Sequence, residues 1–163
     1  MDFTYFWSDD CFSQWAYSPF MDQEGIVYCT AEQYMMSQKA LLFKDLDTYS
    51  KIMGTKSPRE QKRLGRLVTG FNKTIWDSYS LMIVYDGNVF KFSQNEELRE
   101  KLLATGDSIL VEASPYDAEW GIKLKKEDPR SLSISTWQGK NKLGFVLTKV
   151  RDVIKMELNQ ENG

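Results

Sequence analysis

The sequence predicts a mainly helical α+β fold, a single compact helical domain with a few short strands. Two capping boxes stand ahead of helix-forming runs, at Thr30-Ala31-Glu32-Gln33 and Ser57-Pro58-Arg59-Glu60. Helical periodicity runs through Ile75–Phe90 and returns after Asn141, whereas only Ser108–Ala113 alternates like a strand over any length. With 163 residues the chain is one domain long, taken as 1–163 with its core at about 3–151. At that length roughly two-thirds of the unfolded surface can be buried, so the core needs no staples.

In chain order, the ring-rich stretch Met1–Tyr28 has no helical period and reads as extended segments and turns, with a short strand near Ile26–Tyr28. The Thr30 box opens a helix over Ala31–Phe43. A second helix, Leu46–Met53, is closed by Gly54. Pro58, at the first helical position, opens a third that runs to about Val68. The apolar positions Ile75, Tyr79, Met82, Ile83, Val89 and Phe90 share a helical face, with Gly87 a weak point. Asn95 is placed to cap Glu96–Ala104, and Thr105-Gly106 ends that helix. Residues 114–140 look irregular. The last helix opens near Asn141, carries Leu143, Val146, Leu147, Val150 and Val153 on one face, and should fray over Glu157–Gly163.

Composition removes several chemistries. The chain has no histidine, which excludes a Ser-His-Asp triad, a Cys-His pair and any His-ligated metal. Its two cysteines, Cys11 and Cys29, are too few for a thiolate zinc site and read as reduced cytoplasmic thiols acting as small core hydrophobes. A net charge of −2 argues against wrapping a long nucleic-acid backbone, though a local pocket for one or two phosphates remains open. No apolar run reaches the length of a membrane span. Catalysis must therefore come from carboxylates, Lys, Tyr, Ser/Thr or a cysteine.

Four clusters can carry it. Along Ala31–Phe43 the only charges are Glu32 and Lys39, seven residues apart and on one stripe with Met36 and Phe43. They stand roughly 10 Å apart along the axis, close enough to line one pocket. Lys39 either snorkels over an apolar face or is desolvated into a nucleophilic amine able to form Schiff bases. The second cluster sets Glu112, Asp117 and Glu119 beside Tyr116 and Trp120; it suits ribose recognition or acid–base work, or is a turn in which Asp117 caps its own backbone. In the third, Trp137–Asn141, Gly139 permits close backbone approach ahead of a helix N-terminus. The fourth is the stripe Arg59, Lys62, Arg63 and Arg66, either a solvated face or a phosphate-facing patch.

Taken together, these blocks resemble the NADAR (YbiA-like) family. The resemblance is carried by Phe12-Ser13-Gln14-Trp15, Ser18-Pro19-Phe20, Thr30–Met36, Gln38-Lys39-Ala40, Phe43 and Asp45. It continues through Leu64-Gly65-Arg66, Lys91–Asn95, Leu102–Gly106, Val111–Pro115, Asp117, Trp120-Gly121-Ile122, Trp137-Gln138-Gly139, Asn141 and Leu143-Gly144, in the family's order. It implies a metal-independent, cofactor-free N-glycosidase acting on a ribosyl group linked through an exocyclic amine. The implied partners are an ADP-ribosylated nucleotide or nucleic acid, or a phosphorylated ribosyl metabolite such as a riboflavin-pathway ribosylamino-pyrimidine. The alternative is a non-catalytic module that binds ADP-ribose or another NAD-derived nucleotide.

Carried over residue by residue, the resemblance implies that Lys39 is the Schiff-base amine and Glu32 manages protons at the anomeric centre. Asp117 would engage a ribose hydroxyl or assist acid–base steps. Trp120 would wall the sugar or base, Asn141, Gly139 and Gly121 would contact the ligand, and Arg66 would meet a phosphate. Glu112 is a further binding candidate. One position departs from the pattern: Lys123 stands where the family reads glycine. A glycine there allows positive φ or tight backbone approach, which lysine should disfavour, so Lys123 either adds a cation for a phosphate or alters the pocket.

Overall fold

A computed structural model describes all residues except Asp9 and Gly163. In order the elements are β1 (Phe3–Phe6), β2 (Phe20–Met21), β3 (Val27–Tyr28), α1 (Ala31–Leu42), α2 (Leu46–Met53), α3 (Pro58–Gly65), α4 (Lys73–Gln94), α5 (Glu96–Ala104), β4 (Ile109–Glu112), two 3-10 turns at Pro129–Leu132 and Ile134–Thr136, and α6 (Lys142–Asn162). The chain forms two compact units, one from Gln14–Asn95 and one from Met1–Ser13 with Glu96–Gly163.

In the Gln14–Asn95 unit, α1 is the central element and packs on α2, α3 and α4. Its cap differs from a standard capping box by one residue: Thr30 Oγ1 accepts the Gln33 amide at 2.9 Å, while Gln33 Oε1 accepts the amide of Cys29, the residue before the cap, at 2.8 Å. Ala31 through Ser37 are all buried, so α1 is enclosed around its first two turns rather than amphipathic. Two glycines let neighbouring helices approach it. A side chain at Gly65 would collide with the Met36 sulfur, and a Cβ at Gly87 would stand 2.6 Å from the Tyr34 ring. Gly87, expected to weaken α4, is thus the place where Tyr34 seats. That ring belongs to an aromatic group with Phe20, Tyr28 and Phe90, with centroids 5.0–6.5 Å apart.

Asp45 ties α2 to the segment after α3. Its carboxylate accepts the Thr48 amide and hydroxyl at 3.0 and 2.7 Å, and the Thr69 amide and hydroxyl at 2.9 and 3.0 Å. These donors, the Thr69 amide foremost, hold the carboxyl well below the usual carboxylate range. The bonds therefore stabilise the fold fully above about pH 4, where the unfolded carboxyl also ionises, and the benefit is lost as pH falls toward the depressed folded value. In urea titrations, Asp45→Asn should lower the midpoint at pH 7 and narrow the difference from wild type at pH 3. An unchanged difference would assign the acid sensitivity elsewhere.

Boundaries differ from expectation where local chemistry intervenes. Gly54 has φ −84°, so α2 ends without a left-handed residue. The third helix stops at Gly65 rather than Val68. The fourth starts at Lys73 because Asn72 Oδ1 accepts the Ile75 amide at 3.0 Å. Asn95 does not turn its side chain onto α5; its amide donates to Lys91 O at 2.8 Å and Pro19 O at 3.2 Å, closing α4. Both cysteines are only half-buried, and Cys29 Sγ accepts from Gln61 Nε2 at 3.4 Å, so Cys29 is a polar contact as much as a core filler.

In the other unit, β1 and β4 pair in parallel, from Phe3↔Ile109 to Phe6↔Glu112. Val111, Ala113, Ile122 and Leu124 form its buried centre, with Phe3, Tyr5, Ile109 and Trp137 packed around them. Gly106, at φ +66°, ends α5 as its Thr-Gly signal predicts. Leu143, Val146, Leu147 and Val150 are buried on α6 as expected, and Ile154 extends that face. The helix continues past Glu157 to Asn162; of the segment expected to fray, Gly163 lies outside the described residues.

Candidate functional site

Within the Gln14–Asn95 unit, the structure brings Lys39, Glu32 and Arg66 into one electrostatic neighbourhood. Lys39 is half-buried on α1, and its Nζ lies 4.6 Å from the Phe71 ring centroid and 5.6 Å from that of Trp76. Burial lowers its pKa from the ordinary lysine value, the Glu32 carboxylate pushes it back up, and the Arg66 guanidinium lowers it again. Glu32 is buried in the first turn of α1, and its amide donates to Gln14 O at 2.9 Å. Asn88 on α4 donates to Gln14 Oε1 at 2.9 Å, so α4 helps fix the chain segment that holds Glu32. Arg66 sits at the C-cap of α3 and stays exposed. On the same helix Lys62 lies 5.9 Å over the Trp15 ring, while Arg63 is paired with Glu60.

Phe71 and Trp76 escape the sequence reading, yet a signal for them exists. Asn72 is the N-cap of α4, which makes Phe71 the residue before the cap and Trp76 the fourth helical residue. That is the spacing of a hydrophobic staple.

Within the Met1–Ser13 and Glu96–Gly163 unit, the remaining candidates form a second group. Backbone bonds run between residues 118–122 and 138–143: Gln138 N to Ile122 O, Lys140 N to Ala118 O, Asn141 N to Gly121 O and Leu143 N to Trp120 O, at 2.8–3.1 Å. Gly121 and Gly139 are required by this proximity. A Cβ at Gly121 would stand 2.9 Å from Glu112 O, and one at Gly139 would strike the Gly121 carbonyl. Asn141 is fully buried, and its amide faces β4: Oδ1 accepts the Glu112 amide at 2.9 Å and Nδ2 donates to Leu110 O at 3.0 Å. Its side chain therefore positions the strand that carries Glu112, rather than presenting these two atoms to a ligand.

Asp117 Oδ1 accepts the amides of Glu119 and Trp120 at 2.9 and 2.8 Å, the turn geometry that the sequence also allowed. Trp120 is half-buried with Lys142 Nζ 5.7 Å from a ring centroid, and Lys142 is ion-paired to Glu119. Lys123 is exposed and adopts φ +56°, with its amide bonded to Asp117 O at 3.1 Å. Lysine disfavours this backbone, yet Lys123 adopts it: the bond to Asp117 holds the left-handed conformation at a cost of about 1 kcal/mol. Lys123→Gly should therefore raise unfolding stability by up to about 1 kcal/mol, read from urea midpoints, the gain being offset in part by unfolded-chain entropy. A loss of stability would show that Lys123 makes compensating contacts.

A family model for the NADAR domain matches residues 5–155. The chain belongs to the NADAR family. It is 46% identical over 145 residues to N-glycosidase R617 of Acanthamoeba polyphaga mimivirus, covering 86% of this chain and 85% of that one. It is 33% identical over 146 residues to N-glycosidase Npun_R5314 of Nostoc punctiforme, covering 89% and 85%. The NMR structure of Escherichia coli YbiA superposes with a TM-score of 0.77 at 30% identity, over 96% of this chain and 86% of that one. This NADAR chain is thus similar throughout its fold to a solved structure. None of its described helices is long and apolar enough to cross a membrane.

Proposed function

We propose that this NADAR chain is an N-glycosidase that hydrolyses the bond between a ribosyl carbon and an exocyclic amine, removing ADP-ribose from guanine. The N-glycosidase reading is supported by relatives bearing that name along nearly their whole length. The Lys39 chemistry is supported by one observation above all: a half-buried amine, lowered in pKa by burial, beside two aromatic rings.

The glycosidic carbon C1 carries the ring oxygen and the base nitrogen, an N,O-acetal. The ring opens when the O–C1 bond breaks and the nitrogen lone pair forms a protonated imine at C1, while the ring oxygen takes the proton that the resting Lys39 ammonium gives up. Lys39 attacks C1 as the neutral amine, and a proton passes from its nitrogen to the departing base nitrogen, with Glu32 as the carrier. The C1–N bond to the base breaks and leaves an iminium on Lys39. Water adds to C1, the Lys39–C1 bond breaks as C1 becomes a carbonyl carrying the water oxygen, and the proton this releases returns Lys39 to its ammonium. The sum is one water consumed, one amine and one sugar released. Arg66 would meet a phosphate; Asp117 would take a ribose hydroxyl and Trp120 would wall a ring. In the unit that holds Asp117 and Trp120, Lys123 would supply a cation, Glu112 a binding carboxylate, and Gly121 and Gly139 backbone contacts.

The binding-module alternative draws on Lys123, which stands where the family reads glycine and has φ +56° here. The test is intact-mass spectrometry after borohydride reduction with ADP-ribosylated guanosine. A stable ADP-ribose adduct on wild type, absent from Lys39→Ala, is the expected result. Hydrolysis with no adduct would remove the Schiff base, and binding with no turnover would leave the module. Turnover of a ribosylamino-pyrimidine phosphate alone would reassign the substrate.

A further inference from the structure

We infer that Phe71 and Trp76 are positioning residues for Lys39, their ring faces holding the cationic states of its nitrogen: the ammonium at rest and the iminium during turnover. The inference rests on Lys39 being the Schiff-base amine. The nitrogen lies within 6 Å of both centroids, inside the range at which a ring quadrupole attracts a cation. A carboxylate at that place would also attract the cation, but it would accept a strong hydrogen bond and keep the proton on nitrogen. Ring faces attract the charge and leave the amine lone pair available once the proton departs.

The two rings are placed for a reason visible in the sequence. Asn72 fixes the start of α4, and the residues flanking that cap, at N′ and N4, are the two rings. Phe43 meets Phe71 edge-on at 5.4 Å, while Phe71 stays 45% exposed. One ring of the cage is therefore open to an arriving ligand and the other, Trp76, is buried. The charged groups acting on Lys39 are Glu32 from its own helix and Arg66 from the end of α3, and they oppose one another. The rings add a second attraction to that of Glu32.

The test needs no native substrate. Ribose 5-phosphate and cyanoborohydride are applied across a pH series, and Lys39 modification is followed by peptide mass spectrometry in wild type, Phe71→Leu, Phe71→Tyr and Trp76→Phe. Leucine keeps the apolar bulk and removes the quadrupole. Phe71→Leu should lower the midpoint of the Lys39 pH profile by about half a unit and reduce trapped adduct about threefold above that midpoint, with no change below it, where ammonium and iminium lose the same attraction. Phe71→Tyr and Trp76→Phe, which retain a ring, should stay near wild type. If Lys39 of wild type reacts but Phe71→Leu matches it in both midpoint and adduct, the cage is overturned while the nucleophile stands. If Lys39 of wild type takes no adduct, the nucleophile reading falls and the cage falls with it.

Discussion

Lys39→Ala should lose turnover on an exocyclic-amine ribosyl substrate by a factor on the order of a thousand or more, since removal of a covalent nucleophile leaves only binding and proton transfer. Its thermal midpoint should stay within a few degrees of wild type. The side chain is half-buried, and among the described residues its recorded interactions are the two ring contacts and the opposing fields of Glu32 and Arg66. Lys39→Arg sharpens the experiment. Arginine keeps a cation over Phe71 and Trp76 but stays protonated and cannot form the imine. It should be as inactive as alanine while binding ADP-ribose more nearly like wild type. Substantial turnover by either variant would show that the reaction proceeds by direct hydrolysis, with Glu32 acting on water or on the leaving amine.

The largest structural effect is expected at Gly144, in the first turn of α6. A side chain there would run into the Leu110 carbonyl and the Asn141 amide. Neither can yield cheaply: Leu110 O belongs to β4 and accepts from Asn141 Nδ2, while Asn141 Oδ1 holds the Glu112 amide. Gly144→Ala should therefore destabilise by about 3 kcal/mol, at the upper end of the usual overpacking range, because backbone must move and two buried hydrogen bonds are strained together. Urea unfolding measures it, with the exposed neighbour Lys149→Ala as a control expected within about 0.5 kcal/mol of wild type. A Gly144→Ala protein as stable as the control would mean that α6 can slide away from β4 without disturbing Asn141.

What the sequence disclosed, and what it hid, follow from the range of the interactions involved. Thr30, Ser57 and Gly106 were legible because a cap or a left-handed stop is written in adjacent residues. Lys39 stood out because a lone cation beside Met36 and Phe43 is a local anomaly; its side chain is half-buried, as either snorkelling or a pocket would leave it. The rings around it were not legible, since Phe71 and Trp76 lie more than thirty residues downstream and only the fold places them there. Asn141 was singled out as a ligand contact, and the pairing its side chain makes was not legible. Its side chain serves β4, a commitment that spans 29 residues to Glu112. Lys123 misled in the opposite direction: its residue type argued against a backbone conformation that the neighbouring Asp117 carbonyl nonetheless enforces.

The parallel pairing of β1 with β4 has a consequence for the order of events during synthesis. Thr4 meets Ser108 across a sequence separation of 104 residues, and every β1 ladder partner lies beyond it. As the chain leaves the ribosome, the first strand has no mate until the fourth emerges. The whole Gln14–Asn95 unit becomes available to collapse in that interval. At about 5–20 residues per second, that interval is on the order of five to twenty seconds, long against the formation of local helices. Closing so distant a pair is the slow, entropically costly step. The vulnerable species of this protein is therefore a nascent one: a chain with its early helices gathered and the aromatic strand Phe3-Thr4-Tyr5-Phe6 still unpaired.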